Sequence, residues 1–254
     1  EPVPYSGDLD GASMPVSPIE LLLAVIVVAC GSLVQGSIGI GLGILTVPIL
    51  SLINPVMAPV PTLLLAIPLT ASMAMRERSD IEGKGVIWLI VGRFPGALIG
   101  LALLAVATQR TLDIWIALSV MVAVAILSTS LKVPRNGATE FGTGLLAGVM
   151  GMVASMGGPP AALLFKDEKG PTVRSTLALF FMFGLTLTLL TRIVGGKITG
   201  DDVLLAVWML PGLVAGYIAS SRLRGRVDTM ALRPAILVVS SLAALGLLVR
   251  ALQG

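Results

Sequence analysis

The stretch IELLLAVIVVACGSLVQGSIGIGLGILTVPILSLI, residues 19–53, decides how this chain folds. It is predominantly apolar and too long for one membrane-spanning helix, which needs about 20 apolar residues. Its middle is interrupted by glycines at positions 31, 36, 39, 41 and 43. Glycine tolerates backbone conformations that break a helix. We therefore expect two helices that meet at the glycine cluster and form a hairpin.

The composition of the whole chain predicts an all-α polytopic membrane protein. Of its 254 residues, 56% are hydrophobic and only 12% are charged, whereas a soluble domain carries roughly 25% charged residues. Too few charges are present to cover a soluble surface. The further apolar runs that we expect to enter the membrane are residues 56–75, 86–107, 114–131, 141–165, 176–191, 203–221 and 232–249.

Residues 1–18 form a polar, acidic tail that lacks the basic segment of a signal peptide. Met14 is a candidate start of the natural chain, which would make residues 1–13 an addition to it. The remainder divides into a first transmembrane repeat at 19–132, a cytoplasmic linker at 133–139 and a second transmembrane repeat at 140–254.

Similar motifs in the same order indicate this internal repeat. Gly36-Ser-Ile-Gly39 matches Gly148-Val-Met-Gly151 at an offset of 112, and Pro48 matches Pro160 at the same offset. Pro95-Gly-Ala-Leu-Ile-Gly100 matches Pro211-Gly-Leu-Val-Ala-Gly216 at 116. Each half is thus expected to begin with a glycine-rich broken helix, followed by three transmembrane helices.

The distribution of lysine and arginine predicts the orientation of the halves. If each broken segment is a hairpin and the chain begins outside, the cytoplasmic loops hold twelve of the 17 basic residues and the outer loops hold four, Arg110, Arg192, Lys197 and Arg250. If each broken segment crosses once, the split is eight against eight. Cytoplasmic loops carry the excess of positive charge. The hairpin arrangement is therefore favoured, with both termini outside and two inverted repeats, as in secondary transporters.

Arg93 is the only charged residue that the sequence places well inside an apolar segment. A charge at mid-helix is unfavourable by at least about 2.5 kcal/mol, so such residues usually line internal cavities or pathways. Snorkelling to the membrane surface is the alternative. All 14 acidic residues fall in the tail, in loops or near the ends of the apolar runs, as Asp113 and Glu140 do. One buried arginine without a buried carboxylate favours an anionic substrate over a metal cation.

The tips of the two hairpins are the second candidate element of a substrate site. A broken helix exposes backbone N–H groups at the start of its second arm, where an anion is stabilised. Close helix packing is the alternative for all of these glycines, and it is the role expected of Gly144 and Gly148. Arg174 is either an orienting loop charge or a basic lip at the cytoplasmic mouth. The predicted substrate-binding residues are Gln35, Gly36, Ser37, Gly39, Gly41, Gly43, Arg93, Ser155, Gly157, Gly158 and Arg174.

Enzymatic and metal-dependent functions are disfavoured. The chain has no histidine, and its single cysteine, Cys30, allows no disulfide within the chain. No Walker A motif is present. We expect no catalytic residues, no metal and no cofactor. The net charge of +3 is spread over loop positions and indicates no binding to nucleic acid.

Taken together, these motifs resemble the sulfite exporter (TauE/SafE-type) permease family. The resemblance is carried by the glycine-rich segment that ends in Pro48-Ile49-Leu50, by Gly157-Gly158-Pro159-Pro160 and by the two Pro-Gly-x-x-x-Gly motifs. It implies a secondary transporter that moves a small sulfur-containing anion, sulfite or an organosulfonate, across the bacterial inner membrane by alternating access. Its partners are then the anion and the lipid bilayer, and a homodimer is compatible with the sequence. The alternatives are a metabolite or drug carrier of another inverted-repeat family, or a membrane anchor subunit that transports nothing.

Overall fold

The computed structural model describes residues 16–76, 86–129, 133–165, 170–223 and 229–253. Within these ranges the chain is all-α, and seven helical segments are long and apolar enough to cross a membrane. The prediction of an all-α polytopic membrane protein is confirmed. The helices are α1 Pro18–Ile38, α2 Leu42–Ile53, α3 Val60–Arg76, α4 Ile87–Ala105, α5 Gln109–Ser128, α6 Gly137–Ala154, α7 Gly158–Leu164, α8 Gly170–Val194, α9 Gly200–Leu223 and α10 Thr229–Gln253, with a short 3-10 helix at Pro55–Met57.

Helices α1 and α2 form the predicted hairpin. Helix α1 begins at a capping box, in which the Ser17 hydroxyl accepts the Glu20 N–H and the Glu20 carboxylate accepts the Ser17 N–H at 2.7 Å. The amide of Asn54, directly after α2, donates to the same Glu20 carboxylate at 3.4 Å. The end of α2 therefore lies beside the start of α1, so the pair returns to the side from which it came.

Helices α4 and α6 pack with their backbones in contact because glycines line both faces. A Cβ atom on Gly92 would overlap the carbonyl of Phe141, and one on Gly96 would overlap the carbonyl of Leu145. From the other helix, Gly144 lies in the same way against Leu89. The packing interpretation of Gly144 is thus confirmed, and Gly148 likewise lies against the α4 backbone. Small residues that allow backbones to approach are the usual interface of membrane helices.

The second Pro-Gly-x-x-x-Gly motif makes the equivalent contact in the other half. Gly212 and Gly216 of α9 lie against the backbone of Val25 and Ala29 in α1. In both pairs the contacting residue numbers rise together, so α9 runs parallel to α1 and α4 runs parallel to α6. The fourth helix of each half therefore packs on the broken helix of the other half.

The helix boundaries place the broken segments at an offset of 116 rather than the predicted 112. Helix α1 ends at Ile38 and α6 at Ala154, while α2 begins at Leu42 and α7 at Gly158. The difference of four residues is about one helical turn. At the offset of 116 Gly41 matches Gly157, whereas the matches of Gly36 with Gly148 and of Gly39 with Gly151 hold only at 112.

The two broken helices begin at opposite ends of the bundle. Arg250 near the end of α10 donates to Asp113 near the start of α5 at 2.7 Å and to the Ser51 carbonyl near the end of α2 at 2.6 Å. Only three residues separate the end of α4 from the start of α5, so α4 ends at this same end, where α1 starts. Because α6 runs parallel to α4, it starts at the opposite end. These contacts support the prediction that the two complete halves are inverted relative to each other. The inversion itself stays a prediction.

Candidate functional site

The tip of the first hairpin is built by glycines in left-handed or related conformations. Gly39 caps α1 with a φ of +100° and donates its N–H to the Gln35 carbonyl at 2.8 Å. Gly41 has a φ of +147°. Side chains other than glycine rarely adopt such φ values. The tip therefore requires glycine at both positions for a backbone reason.

Gln35 joins the two arms of this hairpin. Its side-chain oxygen accepts the N–H of Leu42, the first residue of α2, at 3.0 Å. The N–H of Leu45 bonds to the Gly41 carbonyl. The N–H groups of Gly43 and Ile44 have no partner within the helix, as expected in a first turn. They remain as donors at the start of α2.

The tip of the second hairpin is closed by a serine. Ser155 follows α6 with a φ of +54°, and its N–H donates to the Gly151 carbonyl at 3.1 Å. Its hydroxyl donates to the carbonyl of Pro59 at 3.1 Å. Pro159 and Pro160 stand in the first turn of α7, where proline is tolerated because its missing N–H has no helical partner.

The two tips contact each other. A Cβ atom on Gly43 would lie 2.6 Å from the carbonyl oxygen of Ser155, and one on Gly158 would lie 3.1 Å from a methyl group of Ile40. Larger side chains at these positions would separate the hairpins. The predicted glycine clusters are thus brought together at one place in the bundle.

Arg93 of α4 extends into this junction. It is 3% exposed, and its guanidinium carbon lies 4.6 Å from the centre of the Phe180 ring. A Cβ atom on Gly157 would lie 2.8 Å from Nη2 of Arg93, one on Gly151 would lie 2.9 Å from it, and one on Gly184 of α8 would overlap the guanidinium. Three glycines, from α6, from the second hairpin tip and from α8, therefore make room for the guanidinium.

A small cavity of about 40 Å³ lies between the hairpin tips, α3, α4 and α8. Thr62 and Thr70 stand two turns apart on one face of α3, and both line it. The lining residues are Gln35, Ile40–Ile44, Thr62, Ala66, Thr70, Arg93, Gly151, Ser155–Pro159, Phe181 and Leu185. None of these described residues is acidic, so the guanidinium gives the cavity a positive charge.

Three polar groups at this cavity lack partners. Nη1 of Arg93 and the hydroxyls of Thr62 and Thr70 are buried, and none has a hydrogen-bond partner among the described residues. Buried polar groups are nearly always paired, and leaving one unpaired is unfavourable by about 1–3 kcal/mol. Their convergence on one cavity makes it the candidate site for a polar ligand.

Seven of the eleven predicted site residues line the cavity, and four do not. The four are Gly36, Ser37, Gly39 and Arg174. Gly36 packs on Ser220 of α9, and Gly39 packs on Arg174. The Ser37 hydroxyl donates back to the Leu33 carbonyl at 2.7 Å. The seven lining residues are Gln35, Gly41, Gly43, Arg93, Ser155, Gly157 and Gly158.

A second, apolar cavity adjoins the first. It has a volume of about 340 Å³ and shares Ile40, Gly41 and Ile44 with the first cavity. Its other walls include Ile126 and Leu127 near the end of α5 and residues near the start of α8. It therefore extends from the candidate site toward the end of the bundle opposite the start of α1.

The expectation that no carboxylate is buried was wrong. Asp113 is 3% exposed and Glu140 is 6% exposed. Asp113 pairs with Arg250 at 2.7 Å, and Glu140 lies 3.8 Å from Arg135. Glu140 lies in the first turn of α6 and Asp113 is the fifth residue of α5, in helices that begin before the apolar runs, and an arginine offsets each charge. Neither carboxylate lines the cavity, so the candidate site keeps its positive character.

Sequence analysis did not identify two threonines that line the cavity, and it misplaced one buried arginine. Thr62 and Thr70 were not predicted, although Pro61-Thr62 is repeated as Pro171-Thr172 and offered a weak signal for Thr62. Arg192 was counted among the outer loop residues. It is instead 5% exposed within α8, and its Nη2 donates to the Met152 carbonyl at 2.6 Å.

These helices and hairpins, with the polar cavity between them, define a polytopic membrane protein with an internal polar cavity. The family model for the sulfite exporter TauE/SafE matches residues 23–247. The chain therefore belongs to this family, whose members are transporters of sulfur anions and not enzymes. A search of curated proteins found no match. A search of solved structures found no match either.

Proposed function

We propose that this protein is a secondary transporter that moves a small sulfur-containing oxyanion, sulfite or an organosulfonate, across the bacterial inner membrane. The anion binds in the cavity between the hairpin tips. The observation that carries the proposal is the set of three unpartnered polar groups there, those of Arg93, Thr62 and Thr70.

The chemistry of these groups matches an oxyanion. A guanidinium donates to anionic oxygens with a planar fork of N–H groups. The threonine hydroxyls and the N–H groups of Gly43 and Ile44 supply further donors from other directions. An amine or a metal cation would meet the positive charge of Arg93 without a carboxylate in the described lining. The family assignment supports sulfur as the central atom.

Alternating access is supported by how the hairpins meet. Each tip contributes one wall of the cavity, and each hairpin packs on the fourth helix of the other half. Movement of one hairpin with its partner helix would therefore open the cavity to one side while the other hairpin keeps it closed. The apolar second cavity supports an access route toward the end of the bundle opposite the start of α1. A membrane anchor subunit has no need of buried, unpaired donors at its centre.

Ligand-dependent thermal stabilisation tests the proposal. A ligand at 100 times its Kd stabilises the folded state by about 2.7 kcal/mol. Sulfite and methanesulfonate should raise the Tm of the purified protein, whereas ethylamine at equal ionic strength should not. Arg93→Ala should abolish the shift, and Arg93→Lys should retain part of it. Stabilisation by ethylamine alone, or an equal anion shift in Arg93→Ala, would contradict the proposed site.

A further inference from the structure

Two arginines make the same contact on the two broken helices. Nη2 of Arg76, the last residue of α3, donates to the Gly36 carbonyl at 3.1 Å. Nη2 of Arg192, near the end of α8, donates to the Met152 carbonyl at 2.6 Å. Gly36 lies three residues before the cap Gly39, and Met152 lies three residues before the cap Ser155.

The residues of the two contacts also occupy equivalent positions in the sequence. Arg76 and Arg192 are 116 residues apart, and so are Gly36 and Met152. This is the offset at which the helix boundaries of the two broken segments coincide. Each contact therefore joins equivalent helices of the two halves, α3 to α1 and α8 to α6. Because the two arginines and the two residues whose carbonyls they contact are separated by the same number of positions, the contact is a feature of the repeated unit rather than a single chance contact.

Each arginine is held in place by its surroundings. The guanidinium carbon of Arg76 lies 4.8 Å from the centre of the Tyr217 ring, and the hydroxyl of that tyrosine donates to the Ser72 carbonyl at 3.1 Å. Arg192 is 5% exposed among the helices of the other half. A guanidinium beside the last turn of a helix stabilises that turn, because the free carbonyls there carry about half a negative charge in total.

These two helix ends stand next to the candidate anion site. Helix α1 ends at Ile38 and α6 at Ala154, and the lining of the cavity includes Ile40 and Ser155. An anion in the cavity is repelled by the partial negative charge of both helix ends. A cation on each set of carbonyls offsets that repulsion and fixes the last turn before the tip.

We propose that Arg76 and Arg192 are an equivalent pair of positioning residues for the anion site. Neither lines the cavity. Each acts through the last turn of one broken helix, where it offsets the helix dipole and holds the hairpin tip. This inference rests on the proposed function for its effect on the anion, but the hold on the tips is independent of any ligand.

Hydrogen exchange of the purified protein without anion tests the hold on the tips. Arg76→Gln should raise exchange at residues 35–44 and leave 151–159 unchanged, and Arg192→Gln should do the reverse. The exposed residues Arg222 and Arg110 provide matched controls, because their change to Gln removes the same charge without touching a tip. Unchanged exchange at both tips in folded Gln variants would overturn the pair. Where a Gln variant fails to fold, Arg→Lys at the same position keeps the charge and should raise exchange at the same tip to a smaller degree.

Titration with methanesulfonate tests the effect on the anion. Each Gln variant should weaken binding about tenfold, equivalent to about 1.4 kcal/mol, and each Lys variant should recover part of it. A purely structural arginine would change the Tm and the exchange without changing the Kd, and that result would overturn the positioning role. If exchange rises locally but the wild type binds neither sulfite nor methanesulfonate, the proposed function fails while the hold on the tips stands.

Discussion

Gly184→Ala tests the position of the Arg93 guanidinium without removing its charge. A Cβ atom on Gly184 would overlap Nε, Cζ and Nη2 of Arg93. These atoms are the far end of a flexible side chain, so the arginine rather than the backbone should move. The added methyl group therefore displaces the guanidinium from the place where we propose that it binds the anion.

The magnitude follows from the interaction that is lost. A hydrogen bond to a charged group contributes about 1.5–3 kcal/mol, so losing one should raise the Kd for methanesulfonate about ten- to a hundredfold. The free energy of unfolding should change less than the free energy of binding. Overpacking is unfavourable by about 1–3 kcal/mol, and replacing glycine by alanine inside a helix recovers about 1 kcal/mol.

Isothermal titration with methanesulfonate measures this effect, and Gly142→Ala is the matched control. Gly142 also lies within a helix, but a Cβ atom there has no neighbour within 4 Å. The control should bind as the wild type does and be equally or more stable. A folded Gly184→Ala protein with unchanged affinity would refute the reasoning, and so would an equal loss of affinity in the control.

Three further outcomes are expected. Thr70→Val should weaken binding of methanesulfonate about five- to tenfold, whereas Thr186→Val, whose hydroxyl already bonds within its own helix, should not; equal titrations would remove the Thr70 hydroxyl from the site. Gly96→Ala should lower the free energy of unfolding by about 1–3 kcal/mol, because its Cβ atom would overlap the α6 backbone; an unchanged Tm would contradict that packing. Cysteines introduced at Val3 and Gln253, in a protein without Cys30, should both react with a membrane-impermeant reagent added to intact cells, and reaction at only one of them would rule out the predicted topology.

The hairpins and the central arginine were predictable from local chemistry. The positive φ values at Gly39 and Gly41 leave glycine as the residue for those positions, so the backbone requirement is visible in the sequence. Arg93 was predictable because a charge in an apolar run needs a specific environment.

The threonines of the site were not predictable in the same way. A threonine in a membrane helix usually donates its hydroxyl to a carbonyl of the preceding turn, as Thr186 does to Met182 at 2.8 Å. Whether Thr70 does so depends on its surroundings in three dimensions. The register of the repeat was missed because Gly36 and Gly39 match Gly148 and Gly151 at an offset of 112, one turn away from the offset of the helix boundaries. Arg192 was missed because α8 continues to Val194, beyond the predicted apolar run.

Counterflow in proteoliposomes tests the central claim most directly. Vesicles that contain the purified protein are loaded with unlabelled sulfite and diluted into radiolabelled sulfite, so that exchange through a carrier accumulates label transiently inside. The wild type should accumulate label, Arg93→Lys should accumulate less, and Arg93→Ala, at matched protein content, should remain at the level of empty vesicles. Equal accumulation by the wild type and Arg93→Ala would contradict the claim that the anion is carried at the guanidinium between the hairpin tips.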